Sequence, residues 1–288
     1  MPTVGKLLDE GARRIAASAH IDHWQEEADR FDAESFLNEV FADTDDADAR
    51  VPKKVAKRFL EMVDRRAGGE PAARILGYVD FLDLRIDVHE GAFFPRISSE
   101  TMAAEAVRRL RPRAKPVHVD LATGVGTVAL AVGKALPKAR VYGVDLLPAA
   151  VKGATKNARS LRIERTRFLT GDLFEPLPEK LGGKVDVITI HPPYVGVDEV
   201  QEQPREIVDY EPVVTLTDGS PDGLGMVRRV AGESPAWLVP SGWLLIEVGA
   251  DMGGKVAAIL RRAKYRDITT KPDEYGVTRT VCARRPAS

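Results

Sequence analysis

"VHVDLATGVGTVALAVGKAL", residues Val117 to Leu136, joins an apolar strand, a tight loop containing Gly124 and Gly126, and a helix whose apolar face follows at once. Glycine in such a loop lets a ligand approach backbone where no side chain fits. The pair alone resembles the dinucleotide fingerprint as well as other nucleotide loops, so it does not name the ligand. Its surroundings decide the fold. From about Pro116 onward, short strands alternate with helical stretches: after "VHVDLAT" come "ARVYGVDLL" at 139–147, "TRFLTGD" at 166–172, "VDVITIH" at 185–191 and "GWLLIEVG" at 242–249. This pattern predicts an α/β fold with a parallel sheet covered by helices on both faces. The last stretch, 265–285, has two strand-like pieces around a Pro/Gly loop and no room for a crossover helix, which predicts an antiparallel hairpin at the sheet edge.

The acids around the glycine loop narrow the ligand. Asp120 precedes the first glycine by four residues, whereas a dinucleotide loop turns on glycine directly after its strand. Asp145, followed by Leu146, closes the second strand where a carboxylate can accept hydrogen bonds from both hydroxyls of a ribose. Asp172 closes the third, beside Leu173 and Phe174, where an adenine would lie. Asp145 and Asp172 could each equally be a helix cap or turn residue. The fourth strand ends in "HPPY", His191 to Tyr194, where a turn of Gly, Asn or Asp would be ordinary.

Strands ending in acids or glycines along one rim resemble the class I methyltransferases, whose cofactor is S-adenosylmethionine and whose product is S-adenosylhomocysteine. A polar residue followed by Pro-Pro and an aromatic is similar to the fourth-strand motif of members that modify nitrogen. Two further segments, "GEPAARILGYVDFLDLRIDVHEGAFFPRISSE" at 69–100 and "DYEPVVTLTDGSPDGLGMVRRV" at 209–230, resemble those of the bacterial release-factor glutamine methyltransferases, and the likeness covers nearly the whole chain. It implies a seven-stranded Rossmann-like, mostly parallel sheet. It also implies a cofactor site at Asp120, the loop Ala122, Thr123, Gly124, Val125 and Gly126, then Asp145, Leu146, Asp172, Leu173, Phe174 and His191, with Arg96 near its entrance. The acceptor site would be His191, Pro192, Pro193 and Tyr194. Methyl transfer is an in-line displacement, so such residues serve to aim a nitrogen lone pair.

The chain departs from the family in three places. His191 stands where the motif begins with Asn, "PRISSE" where relatives have "PRPETE", and Ala122 where they have glycine, a change the loop tolerates if the φ angle of Ala122 stays negative. An imidazole offers one lone pair and one N–H, and unlike a carboxamide it can take a proton near neutral pH. The acceptor is therefore a release-factor glutamine or another nitrogen, such as that of a free amino acid or a guanidine. A non-catalytic cofactor-binding protein is a further alternative.

The N-terminal part has helical spacing, with Leu7, Leu8, Ile15, Val55, Phe59, Met62 and Val63, interrupted by the acidic "ADTDDADARVP" at 42–52. We expect a substrate-side helical bundle at 1–75, a β-hairpin linker at 76–96 carrying Phe81, Leu84, Ile86 and Val88, and a catalytic domain at 97–288. Forty-two basic against 43 acidic residues give a net charge of -1, so no phosphate track is expected and a nucleic-acid amino-methyltransferase is disfavoured. The single Cys282 cannot form an internal disulfide, and no apolar run reaches the roughly 18 residues of a membrane span. A cytoplasmic protein without membrane partner or structural metal is expected. The oligomeric state is open.

Overall fold

The structure is a computed structural model and describes residues 1–21, 28–273 and 275–285. It falls into two compact units, Met1–Tyr78 with Gln201–Tyr210, and Val79–Val200 with Glu211–Ser288. The expected boundaries at 75 and 96 are drawn differently here. The hairpin groups with the sheet unit from Val79 onward, and residues 201–210 group with the helical one.

In the helical unit, α1 (Val4–Ala16), α2 (Ala28–Val40), α3 (Lys53–Ala67) and α4 (Ala72–Leu76) precede the distant α8 (Arg205–Val208). Val4, Leu7, Leu8, Gly11 and Ile15 recur at helical spacing on α1 and are buried. They share a core with Phe36 and Leu37 of α2 and Phe59, Met62 and Val63 of α3. Part of the expected bundle, 22–27, lies outside the described residues. The acidic segment is fastened to the chain start, since Val4 N donates to Ala49 O and Val51 N to Pro2 O. Within this unit the Arg66 guanidinium is buried between two carboxylates, with Nε on Asp32 Oδ2 (2.6 Å) and a terminal nitrogen on Glu206 Oε2 (2.5 Å).

The sheet unit opens with the hairpin β1 (Tyr78–Phe81) and β2 (Leu84–Asp87), then α5 (Ser99–Leu110). β3 (Val117–Leu121), α6 (Thr127–Ala135), β4 (Arg140–Asp145), α7 (Pro148–Ser160), β5 (Thr166–Thr170) and β6 (Val185–Ile190) alternate as expected. α9 (Gly225–Glu233), β7 (Leu238–Glu247), α10 (Gly253–Arg262), β8 (Arg266–Pro272) and β9 (Thr278–Arg284) complete it. The seven strands run in the order β5-β4-β3-β6-β7-β9-β8. All neighbours are parallel except β9, which is antiparallel to both β7 and β8. The order therefore reverses between β3 and β6, and an open α/β sheet presents its ligands outside the carboxyl ends of the strands at such a point.

Strand alternation supplies a core on each face. Leu244 and Ile246 of β7 pack with Val227 and Val230 of α9 and Val256 and Leu260 of α10. Leu245 between them joins Met102 and Ala106 of α5 and Leu130 of α6 on the other face, where the hairpin's Phe81, Leu84 and Ile86 are also buried. Val88 is only half-buried, and Cys282 is buried on β9. Among the described residues no helix is long and apolar enough to cross a membrane.

Candidate functional site

On β3 the residues alternating with Val117, Val119 and Leu121 are His118 and Asp120, both buried. The register sets Asp120 opposite Thr189 of β6. Thr189 donates its hydroxyl to Asp120 Oδ1 (2.6 Å) and Thr123 donates to Oδ2 (2.5 Å). With its proton thus committed, Thr189 accepts from His118 Nε2 at 2.8 Å. Burial pushes the Asp120 carboxyl up to about 6, ahead of the two hydroxyls that oppose the shift. Burial also pushes His118 down to about 3, so this ring is neutral.

Beyond Asp120 the chain turns through the glycine loop. Gly124 has φ +57°, and a Cβ built there would meet only Phe93 O, at 3.8 Å, so bare backbone faces a cavity. The condition placed on Ala122 is not met, because its φ is +49°. The same turn that suits the family's glycine holds alanine in the left-handed region, at a cost of roughly 1–2 kcal/mol. Asp145, at the end of β4, accepts from Gly124 N (2.8 Å) through Oδ2 and from Leu147 N (2.9 Å) through Oδ1. Burial raises its carboxyl above the ordinary range against those two N–H groups. It thus fastens the glycine loop to the second strand and is also a turn residue.

Of the residues singled out from sequence, Arg96, Asp120, Ala122, Thr123, Gly124, Val125 and His191 line one cavity, together with Phe93, Ser99 and Met102. Gly126, at φ +89°, starts α6. Leu146 is exposed beside Asp145. Asp172 accepts from Arg229 at 2.9 Å. Leu173 and Phe174 are buried in the core, and Phe174 stacks on Trp237 with centroids 5.7 Å apart. Pro192 and Pro193 are buried and are not among the residues that line the cavity.

His191 and Tyr194 stack nearly parallel at 5.6 Å, and Phe93 meets the imidazole edge-on at 5.0 Å. Arg96 lies over the Phe93 ring, 4.4 Å from its centroid, and donates to Glu211 (2.5 Å). Burial raises the Tyr194 phenol, with the Glu247 charge adding to it. The loop from His191 is braced by the segment at 209–230. Val195 N donates to Leu216 O, and Gly223, at φ +62°, passes so close that a Cβ would lie 1.9 Å from Tyr194 O.

Sequence reasoning missed Glu247, Ser98 and Ser99. Ile190 of β6 pairs with Ile246 of β7, so His191 and Glu247 leave adjacent strands side by side. His191 Nδ1 lies 3.2 Å from Glu247 Oε2, which also accepts from Ser99 Oγ (2.5 Å), while Oε1 accepts from Ser98 Oγ (2.8 Å). Burial acts to raise the Glu247 carboxyl, but His191 and the two serines outweigh it and hold the group below the ordinary range. The available signal was an acid ending a strand at the same rim as Asp120 and Asp145.

A model described as "Methyltransferase domain" matches residues 114–211. A release factor glutamine methyltransferase of Moorella thermoacetica is 32% identical over 98% of this chain and 99% of its own length. A 4-amino-L-phenylalanine/4-methylamino-L-phenylalanine methyltransferase of Streptomyces pristinaespiralis is 32% identical over 90% of this chain and 88% of its own. The fold is shared with a solved methyltransferase of Pyrococcus furiosus, at TM-score 0.50 and 14% identity over 71% of this chain and 90% of that one. The protein is an S-adenosylmethionine-dependent methyltransferase of class I fold, and the chain belongs to the release factor glutamine methyltransferase family.

Proposed function

We propose that the protein moves a methyl group from S-adenosylmethionine to a nitrogen presented beside His191 and Tyr194. The observation that carries this is one cavity lined by both the glycine loop and His191. The residues fit the cofactor. Gly124 offers unobstructed backbone, and the half-buried Asp145 carboxylate is set at the loop with further acceptor capacity for ribose hydroxyls. When bound, S-adenosylmethionine supplies a methyl group already activated on a sulfonium. The chain's own work is then positioning. Phe93, His191 and Tyr194 wall the acceptor and exclude water, and the Gly223 contact keeps Tyr194 in place.

The family makes the side-chain amide of a release-factor glutamine the first acceptor to test. A second reading, an amine on a small molecule, is favoured by His191 in place of Asn and by the amino-acid methyltransferase among the relatives. The purified chain, given labelled cofactor, should transfer label to a release factor or to 4-amino-L-phenylalanine. Transfer to neither would defeat the proposal.

A further inference from the structure

Resting on that N-methyltransferase reading, we infer that Glu247 and His191 form a proton-accepting pair and that the acceptor is an amine rather than an amide. Three departures from the family motifs, His191, Ser98 and Ser99, meet on one buried carboxylate. An ionised carboxylate only accepts, so its contact with Nδ1 places the imidazole proton on Nδ1. The other ring nitrogen, Nε2, makes no hydrogen bond among the described residues, and the ring lines the cavity beside the glycine loop. A bare Nε2 backed by a fixed carboxylate is a general base. Both acceptors lose an N–H proton on methylation, but an N-methylated amide cation is acidic enough to lose it to water, whereas an ammonium holds its proton near neutral pH and needs a base.

The proton balance is closed. As an amine attacks, its lone pair forms the new N–C bond, the C–S bonding pair stays on sulfur, and a proton of the resulting ammonium passes to Nε2. Glu247 holds the imidazolium until the proton reaches solvent. Glu247 is thus a positioning residue, acting through His191. The charged and titratable groups around the ring are Glu247 on β7, Asp120 on β3, Tyr194 on its own loop, Arg96 paired with Glu211, and Arg279 on β9 beyond Tyr194.

The test has two arms. In ¹⁵N-histidine NMR of the full chain with S-adenosylhomocysteine, neutral His191 should carry its proton on Nδ1. Glu247→Ala should remove that preference and leave a mixture of the two neutral tautomers. A proton on Nε2 in wild type, or an unchanged tautomer in Glu247→Ala, overturns the pair, and the wild-type tautomer decides if the variant does not fold. In the second arm, 4-amino-L-phenylalanine serves as amine and a release factor as amide. Wild type should favour the amine, with kcat/KM falling on the acid side, and His191→Asn should cost roughly 10²–10⁴-fold on the amine and abolish that fall. Preference for the amide, or a variant within about twofold of wild type on the amine, overturns the inference. No transfer to either probe defeats the methyltransferase proposal instead, and the NMR arm still decides the pair.

Discussion

Replacing Gly223 with alanine should harm the acceptor loop twice over. At φ +62° an L-residue costs roughly 1–2 kcal/mol. The added Cβ would lie 1.9 Å from Tyr194 O, a distance no real contact holds, so two backbone segments must separate by about 1 Å. Overpacking of this kind typically costs about 1–3 kcal/mol. The sum, near 3 kcal/mol, lowers Tm by roughly 6–12 °C in a unit of this size. Gly219 is the control, since its φ is +81° but nothing lies within 4 Å of a Cβ there, and Gly219→Ala should show the backbone cost alone. Displacement of Tyr194 should also lower kcat, by as much as about 100-fold for a 1 Å misplacement. Melting curves and transfer rates for both variants decide the matter. Equal Tm for the two, with Gly223→Ala fully active, would refute the bracing role of the 209–230 segment.

Three other outcomes are expected. Asp120 holds its proton to about pH 6 when folded and to about 3.8 when unfolded, so the folded state binds more protons between those values and stability falls as pH rises through them. The loss is about 3 kcal/mol, and urea melts from pH 4 to 7 should show it in wild type but not in Asp120→Asn; identical slopes would contradict it. Arg66→Ala should cost the helical unit about 1.5–3 kcal/mol, because it leaves the half-buried Asp32 and Glu206 without their shared cation, and a loss below about 1 kcal/mol in urea melts would count against that. Ala122→Gly should melt no lower than wild type, unlike the loss of roughly 1 kcal/mol for alanine to glycine within a helix, since it relieves the positive φ; a clear drop would show that the turn is not strained.

Strand and helix order was legible because each strand carries its own apolar alternation and each helix its own spacing. The cavity was legible where its residues are close in sequence, as from Asp120 to Val125. The HPPY motif was found as a local oddity, but its partner was not. His191 and Glu247 are 56 positions apart and meet only because β6 and β7 pair in the register that matches Ile190 with Ile246. The place of Leu173 and Phe174 after a strand points to adenine neighbours. Sequence position could not show that Phe174 turns to stack on Trp237 in the core. The sign of the Ala122 φ likewise depends on how the loop is tied to Asp145 and the second strand, which composition does not encode.

The most direct test supplies the protein with S-adenosylmethionine carrying a ¹³C methyl group and an acceptor, and determines by NMR the atom to which that methyl becomes bonded. The account predicts a methyl on nitrogen, formed only with active protein. A methyl on oxygen or carbon, or no labelled product from amine or amide acceptors, would contradict it.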